Sequence, residues 1–210
     1  MRHLLLALTL LMLAAAPIAA QPSEQQLLEA YRNQDMTVWQ AYIDASDWTE
    51  LTEAEQLRLL RYEYGFAAAM LELDKQHAKA YTQQFGEHIN QARPILTEAL
   101  YNVYMSAYHT YCLALTKNVF AHGKAIFDHA QAALDADSTE PMSWVMQANI
   151  HFFAPRLMGG DKRKALEEYD RADSLMMLRP EIYTTRWELY EERRNRQLCE
   201  DKLKKKNINK

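Results

Sequence analysis

Residues 141–176 read PMSWVMQANIHFFAPRLMGGDKRKALEEYDRADSLM, and their punctuation decides the fold. Pro141 opens the segment as proline does in the first turn of a helix, where its missing N–H has no intrahelical partner to lose. A short helix is expected from Pro141 to Phe153. The run Ala154-Pro155-Arg156-Leu157-Met158-Gly159-Gly160 interrupts it, with glycines that permit a tight turn. Asp161 is placed to cap a second helix, expected over 161–175, and the next proline is Pro180. The stretch reads as one helical hairpin.

The same punctuation occurs twice upstream. Lys79-Ala80 to Pro94, Lys124-Ala125 to Pro141 and Lys164-Ala165 to Pro180 place their alanines 45 and 40 positions apart and their prolines 47 and 39 apart. Repetition at this scale indicates stacked helical units, each unable to bury its apolar face alone. Periodicity supplies the remaining helices. The segment 52–73 opens with Thr52 and Glu55, a capping-box pair, and carries Leu57, Leu60, Tyr64, Ala67 and Leu71 on the helical period. The segment 95–115 repeats that rhythm, and second helices are expected at 75–91 and 119–135. Two short helices, 23–33 and 37–45, and a terminal helix, 181–202, would cover the ends of the array.

Within the third hairpin, Trp144, Ala148, Ala165, Tyr169 and Ala172 resemble the tetratricopeptide pattern of Trp, a small residue, then Ala, aromatic and Ala. The second hairpin keeps Ala125 and Ala132 but has His129 at the aromatic position; the first keeps Gly65 and Ala80. The expected fold is an all-α, tetratricopeptide (TPR)-like solenoid of about three hairpins with flanking helices, a HEAT-like repeat being the alternative. The division is 1–20 signal peptide, 21–50 capping helices, 51–180 array and 181–210 terminal helix with a basic tail. The resemblance implies a partner-binding scaffold and assigns no activity.

Composition agrees with helix: Gly and Pro number only 5 and 6 in 210 residues. At the start of the chain, Arg2, the apolar run Leu4–Ala16 and Pro17-Ile18-Ala19-Ala20 have the layout of a cleavable export signal. The expected destination is the periplasm, or otherwise secretion, with no stable membrane insertion after cleavage. Export makes a disulfide between Cys112 and Cys199 chemically available; two separate thiols are the other reading. The stretch 193–210 holds eight Lys/Arg against two Asp/Glu. No aromatic residue is interleaved there and the rest of the chain is acidic, so nucleic acid is not an expected partner.

No HExxH, GxSxG, phosphate-cradling glycine loop or GxGxxG is present, so the sequence indicates no catalytic residue, no metal site and no cofactor. His122 and His129, seven apart, are too distant along a helix to chelate one ion together. Tyr101, Tyr104, Tyr108 and Tyr111 form a stripe on one helix, and Trp144, His151 and Phe152 lie on another first helix. If exposed on a concave face, these aromatics would suit a protein or peptide partner; if buried, they pack the hairpins together. The expected function is a non-catalytic exported scaffold, the alternative being a small-ligand-binding accessory protein with a pocket inside the array.

Overall fold

A computed structural model describes residues 21–208, with side chains through residue 205; the expected signal segment 1–20 lies outside the described residues. Among the described residues there is no strand: ten α-helices and two 3-10 turns make up the regular structure. The chain is all-α.

Capping chemistry sets most helix starts. α1 (Glu24–Arg32) begins with a capping box between Ser23 and Gln26, and α2 (Thr37–Asp44) follows a turn that holds Gln34 at positive φ. After the 3-10 turn Trp48–Glu50, α3 (Glu53–Leu73) opens on the Thr52–Glu55 box. Asp74 separates α3 from α4 (Lys75–Gln91) and accepts from the amides of Gln76 and His77, so one residue ends one helix and caps the next. Thr97 caps α5 (Glu98–Thr116), which stops at left-handed Lys117, and Asn118 caps α6 (Val119–Ala136). α7 (Pro141–Phe153) leads through the turn Arg156–Met158 to Asp161, which caps α8 (Lys162–Met177). Gly159 has φ 90°, and a side chain on Gly160 would collide with the Ala154 carbonyl, so this loop requires both glycines.

The three expected hairpins are α3–α4, α5–α6 and α7–α8, and consecutive hairpins pack on one another. Ala148, Ala165 and Ala172 are fully buried, as small residues at a close helix approach should be. Tyr169 is fully buried beside them, its hydroxyl donating to Asn149 Oδ1 at 2.6 Å.

The terminal segment differs from the single helix expected over 181–202. It forms a short helix α9 (Pro180–Tyr183), a turn, and α10 (Trp187–Ile208). The Thr184 hydroxyl bonds back to the Pro180 carbonyl at 2.8 Å, and Arg186 N–H caps the Tyr183 carbonyl, which closes the turn. The break lets Tyr183 and Trp187 both be buried.

α10 then packs on α8, α7 and α1. Trp187 meets Trp39 at 5.6 Å between ring centroids, Tyr31 at 5.2 Å and Tyr64 at 5.4 Å. Trp39 is fully buried and donates its indole N–H to the Leu27 carbonyl at 2.7 Å. Trp39, Tyr62, Phe66, Phe85, Leu59 and Leu60 form the centre of this core. Each such side chain contributes roughly 1.5–3 kcal/mol on burial, so the start and end of the array are fastened by its largest residues. Cys112 and Cys199 are free thiols; Cys199 is buried and points at the Lys162 carbonyl.

Candidate functional site

The tyrosine stripe divides. At 100° per residue, positions 101, 104, 108 and 111 span an arc of about 80°, with 104 and 111 at one edge and 101 and 108 at the other. Tyr104 and Tyr111 are buried against Tyr64 and Phe85. The Tyr111 hydroxyl donates to the Tyr64 carbonyl at 3.0 Å, and burial pushes its pKa well above the ordinary phenol range. Tyr101 and Tyr108 are half-buried. Arg93 lies 4.3 Å over the Tyr101 ring, and the Tyr108 ring rests on Gly86 of α4.

The other expected site residues do not converge with them. Phe152 is buried inside the third hairpin. His151 Nδ1 is 2.6 Å from Glu168 Oε2, a contact made almost out of solvent. Trp144 donates its indole N–H to the Ser138 carbonyl at 2.8 Å. Of the two readings left open for the stripe, exposed or packed between hairpins, its inner half is packed. Its inner tyrosines are core because they face Tyr64 of α3 and Phe85 of α4; Trp187 in turn covers Tyr64, and Glu188 is close enough to Tyr104 to reinforce the upward pKa shift that burial causes. The cations at the start of the basic tail are likewise engaged, Arg193 with Asp173 at 2.6 Å and Arg196 with Asp170 at 2.5 Å.

The concavity beside α10 is lined by none of the expected site residues. A cleft of about 270 Å³ lies where α1, the start of α2, the end of α3, the end of α7 and the middle of α10 meet. Ala68 and Ala69 line it on the α3 side and leave it depth, while Tyr31, Tyr190 and Met36 add larger walls. Leu73, Phe153 and Leu198 also line it while remaining 55%, 62% and 41% exposed. Three large apolar side chains gathered in solvent around one cleft is the arrangement expected of a binding site rather than of scattered surface residues.

Polar groups border the same cleft. The Arg32 guanidinium sits 5.2 Å above the Tyr190 ring, and Arg194 pairs with Glu191 at 2.9 Å. Burial, then the Glu191 carboxylate, push the Tyr31 hydroxyl far above its ordinary pKa, so it stays protonated as a donor. Leu73 and Phe153 are each the last residue of their helix, just before Asp74 and Ala154-Pro155. The sequence signal was an apolar residue directly before a helix stop, beside the small-residue run Ala67-Ala68-Ala69.

A second cleft, about 360 Å³, is lined by Tyr104, Leu100, Arg58, Arg61, Arg186 and Glu24 among others. Its cations are partly committed: Glu24 accepts from Arg58 at 3.2 Å and Arg61 at 2.6 Å, and from the Tyr62 hydroxyl. These contacts hold the Glu24 carboxyl below its ordinary pKa against the opposing effect of burial. Among the described residues, no group of three or more His, Cys, Asp or Glu is arranged to hold a metal ion, and no helix is long and apolar enough to cross a membrane.

No family model matches the chain, and no curated protein matches it. Among solved structures it is similar to the HusA haemophore from Porphyromonas gingivalis. The TM-score is 0.58 at 16% identity, with 81% of this chain and 93% of that chain covered. At that identity the likeness shows a shared helical fold.

Proposed function

We propose that this chain is an exported, non-catalytic carrier of a small, flat, largely apolar ligand bearing acidic groups, with haem as the leading instance. The observation that carries the reading is the cleft bordered by exposed Leu73, Phe153 and Leu198, with Tyr31 and Tyr190 in its walls and Arg32 and Arg194 beside them. Aromatic and aliphatic faces suit a planar ring, and guanidinium groups suit carboxylates. The cleft is smaller than most pockets that engulf a ligand. Such a ring would enter by one edge and be clasped by the three exposed apolar side chains outside. The structural likeness to a haemophore supports this ligand class, and the expected export signal agrees with a carrier working outside the cytoplasm.

Haem titration followed by its visible absorption tests the reading. Saturable binding should weaken at least about tenfold in Phe153→Asp and Leu198→Asp, because each places a charge against the ring. Absence of saturable binding, or equal binding by both variants, contradicts it. The tetratricopeptide-like, protein-binding reading has a different support: Phe120 and Leu157 project fully into solvent on the hairpins, away from this cleft.

A further inference from the structure

The second hairpin carries three histidines that sequence spacing alone does not bring together. His109 is on α5, and His122 and His129 are on α6. His109 Nδ1 and His122 Nδ1 stand 3.1 Å apart. The His129 ring stacks on His109 with centroids 5.7 Å apart and planes 12° from parallel. Its own Nδ1 is tied to Asn102 Oδ1 at 2.8 Å. All three rings are half-buried, so an ion from solvent can reach them. None lines either cleft.

We propose that His109 and His122 form an open site for a divalent transition-metal ion, and that copper(II) is the ion it fits best. Two imidazole nitrogens 3.1 Å apart, each bonded to one ion at the usual length of about 2.0–2.1 Å, subtend an angle of about 95–100° at the metal. That is the near-right angle between neighbouring ligands of a square or tetragonal centre, the geometry copper(II) favours, and it is narrower than a tetrahedral angle. Copper(II) also stands at the top of the divalent affinity order for nitrogen ligands. Water would complete the coordination, since the protein supplies two ligands.

The apo contact already fits this role. In it, one Nδ1–H donates to the lone pair of the other Nδ1. Metal binding requires both lone pairs, so the donating ring moves its proton from Nδ1 to Nε2 through water, with no net proton gained or lost. His129 acts as a positioning residue. Its ring fixes the plane of His109, and the Asn102 contact fixes His129 in turn.

Copper(II) titrated into the full chain, followed by electron paramagnetic resonance, tests the site. One ion per chain with coupling to two imidazole nitrogens is expected. His109→Gln and His122→Gln should each lose one nitrogen coupling and bind at least about tenfold more weakly. His77→Gln should change nothing, since His77 lies on α4 in contact with Asp74. Retention of affinity and of two-nitrogen coupling in both site variants overturns the proposal. Should a variant lose helicity, substoichiometric copper in the wild-type protein gives a second readout. It should broaden the His109 and His122 ring resonances first, and broadening centred on other histidines overturns the proposal equally.

Discussion

Trp187 lies directly on Gly65: a Cβ built on that glycine would stand 2.8 Å from Trp187 Cζ2 and 2.7 Å from Trp39 Cζ3. The only residue type that lets both indoles reach the α3 backbone therefore sits where α10 closes on the array. Gly65→Ala should cost about 1–3 kcal/mol, since neither fused ring can yield by rotating its tip. The check is thermal unfolding by circular dichroism. An unchanged melting temperature would mean that the contact of α10 with α3 is loose.

Tyr104 and Tyr101 occupy opposite edges of one stripe and should respond differently. Tyr104→Ala removes a buried ring and should cost about 3–5 kcal/mol. Tyr101→Ala gives up a half-exposed ring and its Arg93 contact, at about 0.5–1 kcal/mol. Denaturant unfolding of both variants measures the contrast, and equal losses would contradict the division of the stripe.

Glu192 is fully buried on α10, and neither of its carboxyl oxygens has a hydrogen-bond partner in the structure. Burial pushes its pKa to about 8 from 4.5, with Asp173 and Asp170 adding to the rise and Arg193 and Arg196 opposing it. The folded protein thus holds a proton that the unfolded chain releases near pH 4.5. Its contribution is fully present below that pH and is lost as pH rises toward and through about 8. Compared with wild type, Glu192→Gln should show a weaker fall in stability between pH 5 and 9, measured as the urea midpoint against pH. Parallel profiles would mean that Glu192 ionises freely in the folded state.

Thr52 and Glu55 close a reciprocal cap at the start of α3, with Thr52 N–H donating to Glu55 Oε2 at 2.9 Å. Thr52→Ala should lower stability by about 1 kcal/mol. Glu55→Gln, which keeps an acceptor at that position, should lose less. A larger loss in Glu55→Gln, read from the same unfolding curves, would indicate that charge at the helix start matters more than the hydrogen bond.

Local rules made much of this fold legible. Thr52, Asp74, Thr97, Asn118 and Asp161 stand at helix starts, and Pro141 and Pro180 open helices. Such signals act within four residues, so a single sequence carries them. The expected α4 range of 75–91 and the α7 range of 141–153 match the structure for this reason. The closure by α10 was not legible. It joins Trp187 to Trp39 and Gly65 across more than half the chain, and no periodicity records which distant faces meet. The same fact hid the cleft, whose walls come from α1, α3, α7 and α10. It also hid the His109–His122 pair, since spacing within one helix says nothing of a neighbour across a hairpin. The stripe was visible as a stripe, but only the placement of α5 against Tyr64 of α3 and Phe85 of α4 determined which of its tyrosines is core.

The carrier reading is tested most directly by two-dimensional amide NMR of the protein with a diamagnetic gallium protoporphyrin in place of haem. The account predicts shifts concentrated at Tyr31–Met36, Ala68–Leu73, Phe153 and Tyr190–Leu198, the segments that line the cleft. Shifts centred on α5 and α6, or no saturable shifts at all, would contradict it.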